Sequence, residues 1–413
     1  MTLPSKRKRS LTHVGGAVEF SGDPDLASTL AHALAVPPAT SAAGGDEGRA
    51  HVHGFHTYPA RMHPLTAARL IEGLTREGAT VLDPFCGSGT VLVEAMIAGR
   101  RAVGVDLNPL AIRLARLKTA RLDAHELEAL VAIAQSVAQF AAARRERRAG
   151  STRRYPREDV ELFDPHVLLE LDSLRAGIAA QEGADPRVRD ALELVLSAIL
   201  VKVSRQASDT SAVMTNRRLA AGFTTRLFAS KAQELARRLG DLARQLPIDA
   251  PPVRLQEDDA ARLRSVSAST VDVVITSPPY VATYDYLAHH AARMRWLGLK
   301  FERFSTGEMG SRRRYAQLDG HAAQRAWARE LSGALGAIRR ACRPGARVAL
   351  LLADSAVRGE AIRAEAIVAS VVKSAGFELV ARASQTRPHF HGETAAAFRH
   401  APRAEHAIAL QKS

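Results

Sequence analysis

Apolar positions in this chain follow two rhythms. Short runs rich in β-branched residues predict seven strands, beginning near Thr80, Arg101, Val253, Val271, Arg347, Phe377 and His406. Apolar residues at helical spacing separate them, over about 65–74, 91–98, 322–342 and 361–375. Strands alternating with helices predict an α/β fold on a mostly parallel sheet. Between the second and third strands the pattern is helical throughout, with periodic segments near 111–148, 165–182, 187–204 and 228–246. That block reads as a large helical insertion. Residues 1–50 are rich in Ala, Gly, Ser and Pro without sustained periodicity, and are expected to form a flexible basic segment. The division is therefore 1–50, a first part of the sheet domain at 51–119, the insertion at 120–250, and the rest of the sheet domain at 251–413. Thr386 to Arg403 reads as a mobile connection, and no internal repeat is present.

Two strand ends carry chemistry. The apolar run Val271 to Ile275 stops in Thr276-Ser277-Pro278-Pro279-Tyr280. Each proline fixes φ, and Pro278 drives Ser277 away from helix. A rigid loop thus stands at the carboxyl end of a strand, where open α/β sheets bind ligands. Ser277 offers a hydroxyl, Pro278 a carbonyl and Tyr280 a ring face, a set suited to a planar base bearing an exocyclic amine. A plain loop is the bland alternative.

Upstream, Asp83-Pro84-Phe85-Cys86-Gly87-Ser88-Gly89-Thr90 links a strand to a helix through a glycine turn. Gly87 and Gly89 permit close backbone approach, and the amides at the helix start face the ligand. The next strand ends in Gly104-Val105-Asp106, an acid about twenty residues on and placed to accept from ribose hydroxyls. Capping of the following helix is its structural alternative. One glycine pair without a phosphate-binding lysine disfavours a dinucleotide site or a P-loop, and favours the adenosine-binding variant of a Rossmann-like sheet. The histidines of His51 to Pro64 are irregularly spaced with no carboxylate near in sequence. That loop is expected to pack on a cofactor pocket and to hold no metal.

A formal net charge of +14, with arginine far ahead of lysine, points to a polyanionic partner, although genome base composition also enriches arginine. Arg205, Arg217 and Arg218, in a polar stretch between insertion helices, and Arg312, Arg313 and Arg314, in a later basic loop, are candidate phosphate contacts. Solvated turns explain the first three equally well. Two cysteines, Cys86 and Cys342, rule out a disulfide framework. No apolar run reaches membrane-spanning length, and the basic start Lys6 to Arg9 lacks a signal-peptide core.

The glycine stretch Asp83 to Thr90, Gly104-Val105-Asp106 and Thr276-Ser277-Pro278-Pro279-Tyr280 together resemble the amino-methyltransferases of DNA. These enzymes use S-adenosylmethionine (SAM) to methylate N4 of cytosine or N6 of adenine. The resemblance covers roughly 51–118 and 252–412 and implies their SAM-dependent methyltransferase fold. It implies a cofactor site of Tyr58, Asp83, Phe85, Cys86, Gly87, Gly89, Thr90, Asp106, Asn108, Asp259 and Thr276. In it Asp106 serves the ribose, Asp259 lies near the adenine, and Phe55 to Pro64 closes over the methionine end. Ser277, Pro278, Pro279 and Tyr280 become the catalytic set, acting on a base flipped from the duplex. Serine at 277 favours cytosine N4, because Asp or Asn there is usual for adenine N6. An RNA base amino-methyltransferase is the runner-up, and a catalytically silent nucleic-acid-binding protein the third reading. A carbon-5 cytosine enzyme needs a nucleophilic cysteine after proline, and neither Cys86 nor Cys342 follows one. The resemblance further implies DNA as partner, a cognate restriction endonuclease and a bacterial cytoplasmic setting.

Overall fold

The computed structural model describes residues 16–37, 47–181, 183–208, 213–387 and 395–413. Its elements begin with Val18–Gly22 (β1), Pro24–Leu34 (α1), Pro64–Leu74 (α2), Thr80–Asp83 (β2), Thr90–Ile97 (α3), Arg101–Asp106 (β3) and Pro109–Lys118 (α4). The helices Ala124–Glu146 (α5), Arg157–Leu162 (α6), Pro165–Ala179 (α7), Pro186–Val203 (α8) and Phe223–Ala243 (α9) follow. The sheet resumes with Arg254–Glu257 (β4) and Val271–Thr276 (β5). Next come Tyr286–Trp296 (α10), Glu302–Gly307 (α11), Arg312–Tyr315 (α12) and Gly320–Ala341 (α13). The chain ends with Cys342–Ala353 (β6), the hairpin Ser355–Val357 (β7) and Glu360–Ile362 (β8), Ala364–Val371 (α14), Phe377–Thr386 (β9) and Ala404–Lys412 (β10).

The main sheet runs β1-β9-β10-β6-β5-β2-β3-β4. From β6 to β4 every neighbouring pair is parallel, and the β1, β9 and β10 side is antiparallel. All seven expected strands are present, and β1 makes an eighth. Period-two alternation divides the core. Leu82, Val274, Val348 and Leu350 join α13 and α14 on one face; Val81, Val273, Ile275 and Leu351 join α1, α2 and α3 on the other. Strands β5 and β2 are parallel neighbours, so the ends of both motif-bearing strands open side by side.

Helices α5 to α9 lie between β3 and β4. These helices bury Leu130, Val137, Leu171, Leu192, Phe228 and Leu235 in a core of their own that continues into Leu110 and Leu114 of α4. Asp123 starts α5 with a capping box, its carboxylate taking the Glu126 amide while Glu126 returns to the Asp123 amide, both at 2.8 Å.

The expectation for 1–50 requires correction. Residues 18–34 are a built part of the domain: β1 pairs with β9 from Val18↔Gln385 to Gly22↔Ala381, and α1 buries Leu26, Leu30 and Leu34. Five apolar side chains at helical spacing, capped by Asp23, supply the burial that composition alone hid. The basic run Lys6 to Arg9 lies outside the described residues. The connection at 386–403 is also partly ordered, since Thr386 ends β9 and Arg387 and Arg403 are buried. Among the described residues no helix is long and apolar enough to cross a membrane.

Candidate active site

The glycine turn after β2 is shaped by what surrounds it. Gly87 takes φ +49°, and a Cβ there would stand 3.2 Å from the Tyr58 ring. Its amide donates to Asp106 Oδ2 at 2.8 Å, while the Asn108 amide donates to Asp106 Oδ1 at 2.8 Å. The acid at the end of β3 therefore fixes both the turn and the start of α4. Asn108 caps that helix through the Leu110 amide (3.0 Å) and turns its Nδ2 to the Tyr58 hydroxyl at 3.3 Å. Tyr58 in turn stacks on His290, centroids 5.0 Å apart, and on Tyr286 at 6.0 Å.

Burial governs the electrostatics. It pushes the Asp83 carboxyl up to about 7, partly offset by the Thr276 hydroxyl and the Phe85 amide. Asp106 rises to about 6 for the same reason, held back by its backbone amides. The thiol of Cys86 is raised well above its ordinary value by burial, and that of Cys342 to about 12.

These groups open on one cavity of about 310 Å³. Tyr58, Asp83, Phe85, Cys86, Gly87, Thr90, Asp106, Asn108 and Asp259 line it, and Ser277 and Pro279 line it from the β5 side. The two motifs, far apart in sequence, thus share one space.

Four expected site residues stand elsewhere. Thr276 is fully buried and reaches the site only through Asp83, to which its hydroxyl donates at 2.6 Å. Gly89 is not on the cavity wall; with φ +87° it starts α3, and a Cβ would press on Ala115 at 3.0 Å, so it serves helix packing. Pro278 is buried, and Tyr280 lies beside the cavity with its hydroxyl 3.5 Å from Ser277 Oγ. The Pro279 carbonyl accepts from Trp327 Nε1 at 3.1 Å, which pins the loop to α13.

The arginines sort unevenly. Arg205 turns inward onto Asp164 at 2.7 Å, and Arg217 donates to the Lys202 carbonyl at 2.9 Å. Arg314 lines the cavity and pairs with Glu330 at 3.1 Å, and Arg313 lies 3.6 Å from Asp285 and 3.5 Å from Glu308. Arg218 and Arg312 are exposed.

Sequence reading missed the far wall, which α11, the loop after it and α13 supply through Phe304, Glu308, Met309 and Glu330. Glu308 is buried there, accepting from the Tyr286 amide at 2.8 Å. No spacing announces these residues; only the tertiary path brings them in. The histidine loop also differs from expectation, because a carboxylate does lie near it. His53 Nε2 stands 2.7 Å from Glu94 Oε1, and with His51 the three offer ligand atoms within 4.8 Å of one another. Burial lowers His53 and raises Glu94 to about 8, which makes the contact a neutral acid–imidazole hydrogen bond. The nearby cations Lys118 and Arg61 also lower His53 and would oppose a metal ion there.

A family profile described as DNA methylase, covering both N6 and N4 types, matches residues 37–117. The matched stretch takes in the glycine turn after β2 and the strand that ends in Asp106. The Type II methyltransferase M.MjaII of Methanocaldococcus jannaschii is 32% identical over 81 residues, 20% of this chain and 15% of that protein. M.MvaI of Kocuria varians is 40% identical over 79 residues, 18% of this chain and 17% of that protein. The chain thus spans less than a fifth of the length of either relative in these matches. Among solved structures, the rRNA methyltransferase aviRa of Streptomyces viridochromogenes aligns with 87% of this chain and 89% of its own, at 16% identity and a TM-score of 0.34.

Proposed function

We propose that this protein is a DNA amino-methyltransferase, which moves a methyl group from S-adenosylmethionine to the exocyclic amine of a flipped DNA base, cytosine N4. The shared cavity carries the reading: Gly87 and Asp106 open onto the same space as Ser277. The residues fit the cofactor. Gly87 lines the cavity with no side chain for adenosine to meet, Asp106 offers carboxyl oxygens to ribose hydroxyls, and a sulfonium cation would favour the ionised forms of Asp83 and Asp106. Bound there, SAM supplies an electrophilic methyl group on sulfur.

The chain's own residues prepare the nucleophile. An exocyclic amine is weak because its lone pair delocalises into the ring. Acceptance of its N–H groups by Ser277 Oγ and the Pro278 carbonyl favours a pyramidal nitrogen aimed at the cavity. The Tyr280 ring face stacks on the base. Arg218 and Arg312, both exposed, are proposed phosphate contacts, and the 120–250 insertion a target-recognition region. The likeness to the Type II methyltransferases M.MjaII and M.MvaI supports a methyltransferase role, and the likeness to DNA methylases over residues 37–117 supports DNA as substrate.

Tritiated-methyl transfer from SAM to bulk DNA and bulk RNA, followed by digestion to nucleosides, tests this. N4-methylcytosine in DNA is expected. N6-methyladenine would keep the mechanism and overturn the serine argument. Label confined to RNA, or absent from both, would sink the proposal.

A further inference from the structure

Glu405 lies on β10, the last strand, opposite Ala353 of β6 and Gln385 of β9. It is buried, and its Oε2 is held by Arg387, also buried, from Nε at 2.8 Å and Nη2 at 2.7 Å. The other oxygen, Oε1, faces the Tyr280 hydroxyl at 3.4 Å. That hydroxyl in turn faces Ser277 Oγ at 3.5 Å. The three groups form a row running from the cavity edge into the sheet.

A hydroxyl both donates and accepts, but an ionised carboxylate only accepts. The anion at the inner end therefore sets the direction in which the row closes, with the Tyr280 hydroxyl toward Glu405 and the Ser277 hydroxyl toward Tyr280. With its one proton so placed, Ser277 Oγ turns lone pairs alone toward the cavity. Resting on the amine-methyltransferase reading, we infer that Glu405 is a positioning residue. It acts through Tyr280 to present Ser277 to the incoming amine as an acceptor. Both separations exceed those of a formed hydroxyl bond, as expected of a site that tightens when its ligand enters. A glutamine at 405 would abolish this polarity, because its amide can donate to Tyr280 as readily as accept.

The test is a double-mutant cycle. Glu405→Gln and Tyr280→Phe should each lower kcat by about ten- to a hundredfold with KM little changed. The double variant should be no slower than Tyr280→Phe alone. Because Glu405→Gln leaves Arg387 buried and unpaired, Glu405→Gln with Arg387→Gln provides a charge-balanced version, which should fold and show the same kcat loss. Losses that multiply, or an unchanged kcat, would overturn the inference. A second arm needs no turnover: in protein carrying [13Cζ]tyrosine, Glu405→Gln should move the Tyr280 resonance. An unmoved resonance would overturn the relay even if the wild type methylates nothing, an outcome that would count against the proposed function instead.

Discussion

The Thr276 hydroxyl donates to Asp83 Oδ1 at 2.6 Å, tying the ends of the two central parallel strands together. This bond eases the cost of burying an acid whose carboxyl sits at about 7. Between the ordinary carboxylate range and about 7, the folded protein keeps a proton on Asp83 that the unfolded chain has released. Stability therefore falls as pH rises through that window and levels off above it. Asp83→Asn keeps the bonds from Thr276 and Phe85 and removes the buried charge. It should raise stability at pH 8 by on the order of 1–3 kcal/mol and change little near pH 4, read by thermal unfolding at both. SAM affinity should drop in the same variant, measured by calorimetry.

Ser277→Ala should leave SAM affinity nearly intact and cut turnover by about a hundredfold, as for loss of one positioned catalytic hydrogen bond. Asp106→Ala should fail in the other order, weakening SAM binding first, because Asp106 also holds the Gly87 and Asn108 amides. Filter binding alongside single-turnover rates separates the two. Equal loss of binding in both would remove Ser277 from the chemical step.

Gly87→Ala places a methyl 3.2 Å from the Tyr58 ring at φ +49°. The turn must then strain or Tyr58 must shift, so SAM affinity should fall at least tenfold while the fold survives. Gly89→Ala, which meets Ala115 instead, should lower the melting temperature as well.

Glu94 is the fourth case. As a neutral acid bonded to His53 it should accept replacement by glutamine, whereas Glu94→Ala leaves a buried imidazole unpartnered and should cost about 1–3 kcal/mol. Equal stability of the two variants in urea titration would show that the contact matters little.

How much of this was legible depended on whether a residue's role is set locally. Asp83 to Thr90 and Thr276 to Tyr280 declare themselves because strand, turn and helix chemistry are written in adjacent positions, and most of the residues read there do line the cavity. Thr276 and Gly89 show the limit: their types fit a ligand site, but their contacts are with Asp83 and Ala115. Glu308, Glu330, Glu94 and Glu405 were invisible for the opposite reason, since each matters only through a partner distant in sequence. Strand β1 was missed similarly, its burial pattern being almost wholly exposed, so that its pairing rather than its own residues makes it a strand.

That pairing has a consequence for synthesis. Val18 meets Gln385 across the sheet edge, so β1 is synthesised long before the strand it pairs with. Until then the apolar face of α1 has no strand β9 to dock on, although α2 is available early. A nascent chain halted before β9 should hold this segment open to proteases and chaperones, and the emergence of β9 decides when the shutter closes.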